Sequence, residues 1–108
     1  MGKEAAIKSL SKVIGNVAIH KTLIKNTNKL ESIDFLEKDF LEKEVLEYGG
    51  VAIKKSSLYN WNDFDKELIK KESLRNAFKI KERKYKDVEI SLEEIEKEIS
   101  EVMKEVGL

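Results

Sequence analysis

His20 is the only imidazole in the chain, and no cysteine accompanies it. A histidine serves as general acid or base near neutral pH, but only with a serine, a carboxylate or a substrate proton within hydrogen-bond reach. Asn16 lies one turn before it on the same helix flank. No serine or carboxylate is placed by spacing to complete a catalytic set. The plainer assignment is a boundary histidine, hydrogen-bonded at the edge of a core. Without cysteine there is no disulfide, thiolate nucleophile or thiolate metal site, and nothing matches a zinc-binding spacing. No metal and no other cofactor is expected.

Three further groups carry potential chemistry. Glu94, Glu98, Glu101 and Glu105 form a carboxylate ladder along one side of the last helix. Like charges one turn apart repel, so the ladder could serve a cation or a partner surface, but a solvated or intramolecularly paired face is favoured, because a regular helix offers no backbone carbonyls to a cation. The stretch KIKERKYK, residues 79–86, gathers Lys79, Lys81, Arg83, Lys84 and Lys86 around Tyr85. Bases contact phosphate and an aromatic ring stacks on a base, which is the chemistry of nucleic-acid binding. Laid on a helical wheel, however, the bases of 66–86 scatter instead of forming a stripe. Tyr59 and Trp61 beside the NWND boundary suit a core lid or the wall of a pocket. EYGGVAIKK lacks the spacing of a phosphate-cradling loop.

The elements that position these groups are helical. With 108 residues, no proline and 39% charged residues, the chain reads as one domain, residues 1–108, built from long helices. No apolar run reaches bilayer length and no signal peptide or myristoylation spacing opens the chain, so a cytoplasmic protein is expected. The abundance of Lys, Glu, Ile and Leu also suits a thermophile. The expected fold class is all-α: a compact bundle of four main helices plus a short fifth segment. The first helix spans about 4–25, with Ala6, Ile7, Leu10, Val13, Ile14, Val17 and Ile24 in a stripe, and it ends at KNTNK. The second starts near Asn28, Glu31 or Ser32 and runs to Tyr48, where Gly49-Gly50 is expected to stop it. Residues 51–59 then form the short fifth helix or a continuation after a kink. The fourth segment covers 63–84 behind an Asn60 or Asn62 cap, with Phe64, Leu68, Leu74 and Phe78 on one broad side. The last, 92–106, follows a capping box at Ser91 and Glu94 flanked by Ile90 and Ile95, and Gly107 closes it.

Charge is zero overall but blocked: residues 1–30 carry +5, 31–50 carry −5, 51–86 carry +6 and 87–108 carry −6. Unlike helices are therefore expected side by side. Within 32–50 the apolar doublets Phe35-Leu36, Phe40-Leu41 and Val45-Leu46 recur every five residues. A five-residue step turns a helix by about 500°, so apolar groups emerge on all sides. Ile19 and Leu23 give the first helix a second apolar face as well. These surpluses predict a homo-oligomer, most simply a two-fold dimer, with Ile19, Leu23, Phe35 and Leu46 at the shared surface. The function read from the sequence is a small non-enzymatic interaction or structural domain that self-associates or joins a larger complex. The alternative is a nucleic-acid-binding accessory protein using 66–86. An enzyme built on His20 or the glutamates is the weakest reading, and no membrane or small-molecule ligand is indicated.

Overall fold

A computed structural model describes residues 2–26, 35–57, 59–86 and 88–108, with the backbone alone for 35–41. Four helices account for most of these residues: α1 (Lys3–Lys25), α2 (Phe35–Ser56), α3 (Asp63–Lys84) and α4 (Leu92–Glu105). Helix α1 is the central member, packing against each of the other three, while α3 also packs on α4. The bundle measures 42 × 23 × 21 Å, its length set by helices of six or so turns.

The centrality of α1 explains its sequence. Ile7, Leu10, Ile14 and Val17 are buried as the stripe requires, and beyond them Ala18, Ile19, His20, Thr22 and Leu23 are buried too. A helix surrounded on three sides needs apolar groups nearly all round. Ile19 and Leu23, expected on a face left over for a second chain, are thus fully enclosed by this chain's own helices. Periodicity records that a face is covered; it does not record by whom.

Small residues set the fit of α1 on α3. A Cβ built on Gly15 would lie 2.7 Å from the Ser73 carbonyl oxygen and 3.1 Å from the Ala77 nitrogen, so the two backbones meet almost directly there. Ser11, Ser73 and Ala77 are fully buried beside this contact. So close a crossing leaves no room for aromatic rings between the helices. The fully buried face of α3 is therefore Ile69, Ser73 and Ala77; of the broad apolar side, Leu68 and Leu74 are half-buried against the core while Phe64 and Phe78 point outward.

Gly49-Gly50 does not end α2, which continues through both to Ser56. No fifth helix is present among the described residues; 51–56 are the last turns of α2, with Leu58 outside the description. Each helical glycine costs about 1 kcal/mol relative to alanine, and tertiary contacts offset this. Ala52 is fully buried, and the Ser56 hydroxyl reaches the Val106 carbonyl at 2.7 Å. The indole N–H of Trp61 donates to the Ser56 carbonyl at 2.8 Å. The expected caps at Asn28, Glu31 and Ser32 lie outside the described residues.

The other helix ends follow local chemistry. Asn62 and Asp65 form a reciprocal capping box on α3, each side chain accepting from the other's backbone N–H. Ser91 caps α4 through the Glu94 N–H at 3.2 Å, and Ile90 and Ile95 both join the core. Gly107, at φ +88°, closes α4. The Leu108 N–H reaches Met103 O at 2.8 Å and the Gly107 N–H reaches Lys104 O at 3.1 Å, the bond pattern of a left-handed glycine terminus.

Candidate interaction surface

The acidic ladder of α4 faces the basic end of α1. Lys21 donates to Glu105 at 2.6 Å, Lys25 to Glu98 at 2.7 Å and to Glu101 at 3.5 Å. The Asn26 amide donates to Glu94 at 3.1 Å, which draws that carboxylate away from the Ser91 backbone it would meet in a reciprocal box. All four rungs are thus held within the chain, and the +5 and −6 blocks lie side by side as their signs require. The hydrogen bond with Glu98 is the largest cause raising the Lys25 pKa, and the Glu98 and Glu101 charges act in the same direction. A shallow recess of about 300 Å³ opens here, lined by Thr22, Lys25, Asn26, Lys97 and the first three glutamates of the ladder.

His20 is buried, with Nδ1 unpartnered among the described residues. Desolvation lowers its pKa below the ordinary value, against smaller raising effects from the Asn16 backbone and Glu44 and a lowering one from Lys84. Burial thus favours the neutral imidazole. No three His, Asp or Glu side chains among the described residues gather into a metal-holding group.

Trp61 and Tyr59 close the junction before α3, their ring centroids 5.4 Å apart. Trp61 packs on the core, and the Lys3 ammonium lies 5.8 Å above its ring. Lys3 also pairs with Asp65, and that hydrogen bond is the main cause lowering the Asp65 pKa. The aromatic pair is a lid tying the start of α1 to the start of α3.

What remains for a partner is on the outside. On α2, Leu46 is 79% exposed, Ile53 53% and Val51 37%. Leu46 and Ile53 are seven residues apart, two turns along one side of the helix, with Gly49 and Gly50 between them. They border a groove of about 500 Å³ whose far wall is Val102 and Val106 of α4 and whose floor is Val17 of α1. Of the expected interface residues, Leu46 lies on this surface, Ile19 and Leu23 lie beneath the helices that cover α1, and the Phe35 side chain is outside the described residues. Val51 and Ile53 had no place in the sequence reading because the glycines were taken as a stop. Extending the helical period from Leu46 across them leads to Ile53.

A second outward face belongs to α3. Phe64 is 71% and Phe78 44% exposed. Lys71 and Arg75, also exposed, lie between them within about 40° on the helical wheel. Of the bases of 79–86, Lys79, Arg83, Lys84 and Lys86 are exposed, whereas Lys81 is half-buried and lies 3.4 Å from Glu82. Tyr85 is half-buried against the core.

Among the described residues no helix is long and apolar enough to cross a membrane. No protein-family model matches the sequence, and no curated protein or solved structure matches it either.

Proposed function

We propose that this chain is a small non-enzymatic interaction domain of the cytoplasm, a single folded unit that works by self-association or as a subunit of a larger assembly through the outer face of α2. One observation carries the reading: Leu46 and Ile53, two turns apart on one side of α2, stand exposed beside an apolar groove while another side of the helix packs on the core. A fully buried Leu or Ile contributes about 1.5–3 kcal/mol, so covering this set offsets part of the cost of association. The chemistry-bearing groups point the same way, because the glutamate ladder is satisfied by Lys21, Lys25 and Asn26, and the one histidine is enclosed. Light scattering after size exclusion is expected to give twice the chain mass for the wild type. Leu46→Asp/Ile53→Asp is expected to give the monomer mass with unchanged helicity. A wild type that stays monomeric up to high micromolar concentration refutes self-association.

The outward face of α3 favours a second reading, a nucleic-acid accessory protein. Two exposed phenylalanines with Lys71 and Arg75 between them combine stacking surfaces with phosphate contacts. Binding of single-stranded oligonucleotide would then weaken steeply with salt and be lost when Lys71 and Arg75 are neutralised together with Lys79, Lys81, Arg83, Lys84 and Lys86. Retention of binding in that variant refutes it.

A further inference from the structure

We infer that the occupant of the α2 face is a second copy of α2, lying antiparallel to the first about a two-fold axis at Gly49–Val51. This rests on the self-association reading above and adds its geometry.

The glycines supply the first reason. Gly15 lacks a side chain because α3 fills the space, whereas a Cβ on Gly49 or Gly50 would meet nothing within 4 Å. Neither glycine has a positive φ. Among the described residues, then, no close neighbour requires two consecutive helical residues of the poorest propensity short of proline. A closely approaching second helix would use the notch they leave.

Charge supplies the orientation. Glu42, Glu44 and Glu47, with Lys43 among them, precede the glycines; Lys54 and Lys55 follow. Glu47 and Lys54 are exposed and on the same flank of the stripe, and neither is in an ion pair among the described residues. In a parallel pair the two-fold axis runs along the helices and carries this flank to the far side of the seam, so Glu47 and Lys54 of the two copies do not meet. An antiparallel pair sets Glu47 of each copy against Lys54 of the other, and Leu46 against Ile53. The midpoints of both pairs fall within Gly49–Val51, so one axis satisfies the charged and the apolar contacts together. The result is an isologous interface, closed at two copies. The second helix also covers the open side of the groove above Val17.

The test is a charge exchange on the full chain, read as the dimer dissociation constant by analytical ultracentrifugation. Glu47→Lys is expected to weaken the dimer about fivefold, two exposed pairs being lost at once. Glu47→Lys/Lys54→Glu is expected to restore it to within about twofold, because the pairs reform with signs reversed. Phe64→Asp, on the outer face of α3, is expected to leave the constant unchanged. All three positions are exposed, so folding is retained and circular dichroism checks it. A monomeric wild type overturns both the self-association reading and this geometry. A dimeric wild type with an indifferent Glu47→Lys, an unrestored exchange, or dissociation by Phe64→Asp overturns the geometry alone.

Discussion

Gly15→Ala should destabilise the fold even though alanine is the better helix former. The added methyl would sit 2.7 Å from the Ser73 carbonyl oxygen, 3.0 Å from the Asn76 Cβ and 3.1 Å from the Ala77 nitrogen. Two of these are backbone atoms inside α3, which move only if the whole helix moves. Overpacking of this kind costs about 1–3 kcal/mol, and the gain in helix propensity returns about 1 kcal/mol. Because the obstruction at 2.7 Å is backbone, the cost falls in the upper part of that range, and the net loss is about 1–2 kcal/mol, a drop in melting temperature of roughly 5–15 °C for a chain of this size. Gly49→Ala and Gly50→Ala provide the control, since their methyls meet nothing, and each should gain up to about 1 kcal/mol. Urea unfolding followed at 222 nm, at the lowest workable protein concentration so that association does not contribute, gives all three values. Ser73→Ala should not rescue Gly15→Ala, because the collision is with the Ser73 carbonyl and not its hydroxyl. A Gly15→Ala protein as stable as the wild type would refute the close backbone crossing of α1 and α3.

The buried His20 makes stability fall on the acid side of neutrality. Its folded pKa lies below the unfolded value of 6.5, so below that pH the unfolded chain takes up a proton that the folded chain refuses. The loss grows by at most ~1.4 kcal/mol per pH unit until the folded pKa is passed; His20→Leu should flatten this limb of a pH series of melting curves. Lys25→Met should cost about 1 kcal/mol in urea unfolding, since it leaves the buried Glu98 carboxylate without its cation. Gly107→Ala should cost about 1–2 kcal/mol, because φ +88° brings a Cβ against the following carbonyl, and a neutral result would mean that the end of α4 is closed differently.

Local signals in the sequence were reliable where the physics is local. The Asn62 cap, the Ser91 cap and the closing Gly107 act within one turn of the chain, and they set the ends of α3 and α4 as their residue types imply, whereas the Glu94 half of the expected box goes to Asn26 instead. The opposed charge blocks agree with the packing of α1 on α4, but α1 also packs on α3, a helix of its own sign. The readings that changed depend on distant partners. Whether Gly49-Gly50 stops a helix is decided by the burial of Ala52 and the Ser56–Val106 bond, and these outweigh a preference of about 1 kcal/mol per glycine. Which side of α3 is core is decided by how near Gly15 lets it come. The same limit applies to Ile19 and Leu23, whose type demands cover and whose position alone cannot name the helix that provides it. Of the candidate surface, Leu46 was legible, and its continuation to Ile53 was hidden by the glycines.

The pairing of Lys21 with Glu105 joins residues 84 positions apart, and this gives the chain an order in time. During synthesis α1 leaves the ribosome first, yet the helix that covers its Val17 and Leu23 region is made last. At about 5–20 residues per second, the most apolar helix of the bundle waits roughly 4–16 s between its own completion and that of α4. A nascent chain shortened before α4 therefore leaves one of the three packed sides of α1 open, an apolar surface that the cell's chaperones and proteases would meet before the fold could close.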